Sequence, residues 1–362
     1  MATAGRLAHT HPSLRLKEIP RPTPGPKDVV VRISAVALNH RDLFLRQHLY
    51  PAIAFDDPLL ADGYGVVVDA GPDVPGRDGL LHRPVLLTPS RGWAADPDGP
   101  EDAARFAAVG GTTLCEGAGT AQEFVVVPHD EVELAPPHLT PAEGAALPLA
   151  GLTAWRALVT KAGIGPGRAA GRNVLVTGVG GGVALAALQF GVALGANVFV
   201  TSGDLGKLER ARELGAAGGV SYKDADWDRQ LATMLPDSRP FLDAVVDGAG
   251  GDVVKRAVRI LKPGGIVSCY GMTVGPKMDW LMQAVLKNIE LRGSTLGSRK
   301  EFAEMVDFVR KNKVRPVVSR VVKGLDNLEA IDGLFEEMNQ GRQFGKLVIE
   351  IASQPDESPS KL

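Results

Sequence analysis

Between Asn173 and Thr201 the chain reads strand, glycine turn, helix, strand, and no other stretch narrows the possible folds as far. Asn173-Val-Leu-Val-Thr177 is a short apolar run of the kind that a parallel sheet buries on both faces. Gly178-Val-Gly-Gly-Gly-Val-Ala184 follows, and Leu185, Ala186, Leu188, Gln189, Val192 and Leu194 continue at helical spacing to Gly195. Asn197-Val-Phe-Val-Thr201 is a second strand. Glycines between a strand and a helix let backbone N–H groups approach a pyrophosphate, which the positive end of the helix also attracts. The flanking elements are those that such a turn requires, so the stretch predicts a dinucleotide site.

The end of the second strand bears on which dinucleotide. NAD sites usually place Asp or Glu about 20 residues after the glycines, to hold the ribose 2′-hydroxyl. Here Ser202 and Gly203 stand at that point, with Lys207 close by. A carboxylate would repel a 2′-phosphate, whereas a hydroxyl and a lysine would hold one. Asp204 competes but lies two residues into the turn. The reading favours NADP(H).

A chain of 362 residues can bury two full cores. Its net charge of −2 excludes the basic footprint of a nucleic-acid binder. No apolar run approaches the roughly 18 residues of a membrane span. Two cysteines, Cys115 and Cys269, are too few for a disulfide framework.

Residues 1–150 are rich in Pro, Gly and short β-like runs such as Val29–Ile33, Gly65–Ala70, Val85–Thr88 and Ala121–Val127. Turn clusters punctuate them, which predicts an irregular, mostly antiparallel β domain. After 173–201 the alternation continues, with helices at about 207–214, 226–235 and 252–261. Strands are expected near Val220, at Asp243–Asp247 and at Ile266–Tyr270. This predicts a parallel sheet covered on both faces. Gly345-Lys-Leu-Val-Ile-Glu-Ile351 looks like a strand returning to the first domain.

Several segments, in order, resemble the medium-chain dehydrogenase/reductase superfamily: Ala37-Leu-Asn-His-Arg-Asp-Leu43, Gly65-Val-Val-Val-Asp-Ala-Gly71, Gly119-Thr-Ala-Gln-Glu-Phe-Val-Val-Val-Pro128, Ala146-Leu-Pro-Leu-Ala-Gly-Leu-Thr-Ala-Trp-Arg156, Leu261-Lys-Pro-Gly-Gly265 and Phe344-Gly-Lys-Leu347. The resemblance implies an α/β protein. An irregular GroES-like β-rich catalytic domain (1–150 and 299–362) joins a Rossmann doubly wound cofactor domain (151–298). Zinc members of the superfamily take ligands from the positions of Asn39, Ala61 and Ala150, none of which can bind metal here. Asp62 matches the acidic neighbour of that site, but a catalytic zinc needs about three protein ligands. The four-cysteine structural lobe is also missing, because Cys115 stands alone in 85–125, and His40 has no partner ligands. The chain therefore resembles the zinc-independent branch, similar to quinone oxidoreductases and to zinc-type alcohol dehydrogenase-like proteins that have lost the metal, and no metal is expected.

The implied reaction is hydride transfer from NADPH to an acceptor. Candidate hydrogen-bond donors for the developing charge are Tyr50, in Gln47-His-Leu-Tyr-Pro51, together with Asn39 and Tyr64. For the cofactor, Gly181, Gly182 and Val183 would cradle the pyrophosphate and nicotinamide side. Ser202, Lys207 and Tyr222 would hold the 2′-phosphate. Thr153 resembles a nicotinamide-side contact, Asp247 and Gly271 end strands at the cleft edge, and Phe344 and Lys346 would close over the phosphates. Acceptors in view are quinones and enones, with 2-enoyl thioesters as the alternative. A cofactor-binding protein with little catalysis is the other class. Ile289-Glu-Leu-Arg-Gly293 reads as a sheet edge and suggests a homodimer. The terminal Ser360-Lys361-Leu362 reads as an address for a peroxisomal import receptor, with the cytoplasm as the alternative.

Overall fold

The parallel block forms as the alternation predicts. In the computed structural model, which describes residues 13–275 and 277–351, six strands form one sheet. Their order is Gly218–Ser221, Asn197–Ser202, Asn173–Val176, Leu242–Asp247, Leu261–Cys269 and Glu290–Gly293, and every pairing is parallel. The chain runs outward from Asn173–Val176 to one edge, then returns to the other side of that strand. A crevice therefore opens above the adjacent ends of Asn173–Val176 and Leu242–Asp247, where open parallel sheets bind ligands. Asn173–Val176 is buried throughout because helices cover both faces. Lys262–Gly265 bulges outward: Leu242 lies opposite Leu261, but Ala244 lies opposite Ile266.

The first domain is a seven-stranded sheet built around Asp28–Ala37. That strand pairs antiparallel with Asp62–Ala70, Phe124–Pro128 and the returning strand Lys346–Glu350. The last pairing joins segments more than 300 residues apart in sequence, with Leu38 N–H donating to the Leu347 carbonyl at 3.0 Å. It delivers Lys346 to the start of the helix His40–Arg46.

One boundary differs from the sequence reading. The helix Arg299–Asn312, grouped there with the catalytic domain, packs Phe302, Met305, Val306, Phe308 and Val309 into the cluster that holds Trp155 and Phe190. Its apolar face thus belongs with the cofactor-domain core, and the chain returns to the first sheet only at Val318–Lys323.

Residues 90–108 form a small lobe closed by a carboxylate. Glu101 accepts the backbone N–H groups of Ala94, Ala95 and Asp96 at 2.7, 2.7 and 2.9 Å. These bonds hold its pKa down at about 2. Trp93 of this lobe lies under the Arg156 guanidinium, 4.3 Å from the ring centre. Arg156 is buried and paired with Glu301 at 2.8 Å. No helix of the described residues is long and apolar enough to cross a membrane. Ser360-Lys361-Leu362 lies outside the described residues.

Candidate active site

The glycine turn sits at the mouth of the crevice. Val179 N–H donates to the Thr201 carbonyl at 2.8 Å and Gly178 N–H to the Thr201 hydroxyl at 3.1 Å, tying the turn to the neighbouring strand. Gly180 has φ +142°, a conformation that favours glycine. A Cβ built on Gly181, which caps the helix Gly182–Ala193, would meet nothing within 4 Å, so open space lies before the helix N-terminus. Gly182 is constrained by close approach: a Cβ there would fall 2.7 Å from Lys346 Cδ and 3.2 Å from Ala150 Cβ. Gly181 thus leaves open space before the helix, and Gly182 and Val183 form its first turn.

At the ribose end the structure corrects one expectation and adds a residue. Asp204 turns away from the strand end and caps the helix Leu205–Glu213, accepting from Gly206 N–H at 2.8 Å and Lys207 N–H at 3.3 Å. Ser202 accepts from Asp204 N–H at 3.2 Å. Lys207 does not join Ser202. Its side chain lies over Gly180, and its ammonium donates to the Gly341 carbonyl at 2.8 Å. Burial there lowers its pKa. A cation beside Gly203 is Lys223, which the sequence reading missed. A Cβ on Gly203 would lie 2.5 Å from the Tyr222 hydroxyl and 3.0 Å from Lys223 Cε. The parallel register that sets Ser221 opposite Ser202 carries Tyr222 and Lys223 there, and that register was the available signal.

Asp247 is committed to shaping the crevice edge. Buried, it accepts from the Thr177 hydroxyl at 2.5 Å and from Ala249 and Gly250 N–H at 3.0 Å each. Burial raises its pKa despite these bonds. Gly271 lies beside the Gly248 carbonyl. Thr153 donates to the Leu149 carbonyl within its own helix, Pro148–Trp155. Phe344 is buried, with Arg210 over its ring at 4.0 Å, and Gly345 N–H donates to the Gly180 carbonyl at 2.9 Å. The returning segment therefore touches the glycine turn directly.

The floor between the domains is a polar cluster centred on Lys346, Asn39 and Asp62. Lys346 is 5% exposed, and its ammonium donates to the Leu38 carbonyl at 2.6 Å, to Asn39 Oδ1 at 2.6 Å and to Asp62 Oδ2 at 2.8 Å. Asn39 Nδ2 donates to the same Asp62 oxygen at 2.9 Å. The other Asp62 oxygen accepts Leu149 N–H at 2.7 Å. Leu149 is thus the residue of its helix that meets Asp62, while Ala150, the position expected to correspond to a zinc ligand, faces Gly182. Lys346, expected to close over the phosphates, has its ammonium bound to these three acceptors.

The two tyrosines lie elsewhere. Tyr50 stands at the rim with the Arg41 guanidinium 5.3 Å above its ring. Arg41 is itself held by Asp42 and by the Val109 and Gly110 carbonyls. Tyr64 packs against the helix Pro141–Ala145, where a Cβ on Gly144 would come within 2.2 Å of its ring. Its phenol pKa is raised by burial. Of the three proposed donors, the structure brings only Asn39 to the floor.

A crevice above a parallel sheet, a glycine turn at a helix N-terminus and a β domain closing over both are the architecture of two-domain dehydrogenases. The family described as "Alcohol dehydrogenase GroES-like domain" matches residues 25–137, and "Zinc-binding dehydrogenase" matches residues 182–311. The chain is 56% identical over 341 residues to the zinc-type alcohol dehydrogenase-like protein YogA of Leptosphaeria maculans, covering 93% of this chain and 94% of that one. It is 31% identical over 336 residues to a zinc-type alcohol dehydrogenase-like protein of Schizosaccharomyces pombe, covering 90% and 91%. Among solved structures, an NAD-dependent alcohol dehydrogenase superposes with TM-score 0.81 at 31% identity, covering 93% of this chain and 95% of that one. The crotonyl-CoA carboxylase/reductase AntE in complex with NADP gives TM-score 0.77 at 19% identity, covering 92% and 89%, a likeness of fold alone. The chain belongs to the medium-chain dehydrogenase/reductase superfamily and is an oxidoreductase of that family.

Proposed function

We propose that the protein is an NADPH-dependent reductase that delivers hydride to a quinone, an enone or another activated carbonyl or alkene without zinc. The observation that carries this reading is the Asn39–Asp62–Lys346 floor. By the family resemblance it stands where zinc members hold their metal, and its residues do not fit one. Asn39 offers a neutral amide whose oxygen already accepts from an ammonium. Ala61 has no donor atom, Leu149 offers only backbone, and the Lys346 cation already neutralises Asp62. A divalent ion would have to displace an ammonium from the site's carboxylate. Without a metal to lower an alcohol's pKa, oxidation of a simple alcohol is poorly served. An acceptor that delocalises charge needs only hydrogen-bond donors.

When bound, the dihydronicotinamide supplies the hydride. The chain's own part is to hold it. The glycine turn and helix N-terminus meet the pyrophosphate, and Ser202, Tyr222 and Lys223 take the ribose end. Two observations support the 2′-phosphate: Asp204 is occupied as a helix cap, and Lys223 lies beside Gly203. Leu49, Tyr50, Phe55 and Leu114 are exposed along the rim, and the segments that carry them are bridged at Ile53 and Thr112. That apolar rim favours an apolar acceptor over a charged thioester.

Turnover tests this reading. Purified protein is expected to oxidise NADPH faster than NADH with a panel of quinones and enones. It should contain far less than one zinc per chain by elemental analysis, and chelators should leave its activity unchanged. Cofactor binding without turnover of any acceptor would favour a binding protein, and stoichiometric zinc would end the metal-free reading.

A further inference from the structure

Lys346 is a cation buried at the floor of the crevice, and its side chain spans from Gly182 to Asn39. Its Cδ lies against Gly182, and its ammonium ends between Asn39 Oδ1 and Asp62 Oδ2. An ammonium carries three N–H donors and no acceptor. All three are accounted for by Leu38, Asn39 and Asp62 at 2.6, 2.6 and 2.8 Å. Nothing remains on Lys346 for a phosphate unless this set is broken.

The consequence falls on Asn39. An amide can present either its oxygen or its nitrogen to a neighbour, and the two look alike in shape. Lys346 removes that ambiguity, because only the oxygen can face an ammonium. The position of Nδ2 is then fixed as well, and one of its two N–H bonds meets Asp62 Oδ2, the oxygen that also accepts from Lys346, at 2.9 Å. The second N–H has no acceptor among the described residues. The Asn39 backbone is pinned as well, since its N–H donates to buried Asp42 at 2.7 Å. Asn39 is 7% exposed, so this remaining donor sits where water competes weakly.

We propose that Lys346 is a positioning residue rather than a phosphate ligand, and that it locks the Asn39 amide so that the second Nδ2–H binds the carbonyl oxygen of the acceptor. This rests on the hydride-transfer reading above and assigns its oxyanion donor. An ammonium and an amide together would do part of what a metal does: fix one donor, preorganised, where negative charge grows. The positive charge beside Asn39 polarises that N–H toward the acceptor. Asp62 balances the ammonium and aligns the amide, and Leu149 N–H in turn fixes Asp62.

The test uses the NADPH-loaded enzyme and a carbonyl that hydride does not reduce, δ-valerolactam, titrated by calorimetry. NADPH affinity is followed separately by its fluorescence. Wild type is expected to bind the lactam. Asn39→Ala and Lys346→Met are each expected to weaken lactam binding at least tenfold while changing the NADPH Kd less than threefold. Lys346→Arg should recover part of the loss, because it restores a cation to Asn39 Oδ1; it also carries the test if Lys346→Met does not fold. With 2-cyclohexenone as acceptor, kcat should fall in step with lactam affinity. The proposal is overturned if wild type does not bind the lactam. It is equally overturned if Lys346→Met or Lys346→Arg weakens NADPH tenfold or more while lactam binding to the loaded enzyme is unchanged, which would make Lys346 a cofactor ligand. Lactam binding that follows the expected pattern without turnover of any acceptor would refute the reductase reading and leave the assignment of the donor standing.

Discussion

Lys207 and Lys223 provide the sharpest test of how the cofactor is read, because the structure separates Lys207, which is close to the second strand in sequence, from Lys223, which only strand register carries to that strand's end. Lys223 lies beside Gly203 and Tyr222, at the end proposed for the ribose, while Lys207 lies over Gly180, in the turn proposed for the pyrophosphate. Only the ribose end differs between NADPH and NADH. Lys223→Ala should therefore weaken NADPH alone, and Lys207→Ala should weaken both cofactors by the same factor. A hydrogen bond to a charged group contributes about 1.5–3 kcal/mol. Lys223 is exposed, so screening moves the value to the bottom of that range and below, about 1–1.5 kcal/mol, or roughly 5- to 13-fold in Kd. Lys223→Glu should widen the gap further by repelling the 2′-phosphate. The assay is fluorescence titration of wild type and each variant with both cofactors, at low salt and again at higher salt, where the Lys223 effect should shrink. The reasoning fails if Lys223→Ala weakens NADH as much as NADPH, or if Lys207→Ala is the substitution that selects between them.

Three further outcomes follow from other parts of the molecule. Glu101 has its pKa held at about 2, against 4.5 for an ordinary glutamate, so its contribution is present above about pH 4.5 and is lost as pH falls toward 2; the Tm difference between wild type and Glu101→Gln should be full at pH 7 and narrow as pH falls from 5 to 3, and a constant difference would refute this role. Glu301→Ala leaves the buried Arg156 guanidinium without its carboxylate and should cost about 3–5 kcal/mol in denaturant unfolding, whereas a loss below about 1 kcal/mol would mean that the lobe and helices absorb the charge. The edge strand Glu290–Gly293 exposes Leu291, and Met282 and Leu286 stand exposed just before it; we expect it to pair with a second copy, so wild type should sediment as a dimer at micromolar concentration and Leu291→Lys as a monomer, and a monomeric wild type would refute the pairing.

The cofactor domain was legible in sequence because its information is local. Asn173–Val176 and Leu242–Asp247 are apolar runs of strand length, and the helix between Gly182 and Ala193 shows its own period. Glycine at the turn and the missing acidic residue at Ser202 are likewise properties of single positions. Asn39 could be singled out because its segment carries a recognisable pattern. What the sequence could not supply were meetings between distant segments. Lys346 lies 307 positions from Asn39 and 284 from Asp62, and nothing in its neighbourhood says that its ammonium turns inward to a carboxylate instead of outward to a phosphate. The choice between Lys207 and Lys223 depends on strand register and on the Gly341 carbonyl reaching across from the other domain. Leu149 meets Asp62 through a backbone N–H of the first turn of its helix, a donor with no partner inside the helix. Local periodicity decides which elements exist. Where a charged side chain ends is decided by which acceptors the folded chain brings within about 3 Å of it, since a buried cation must find partners wherever the packing has put them.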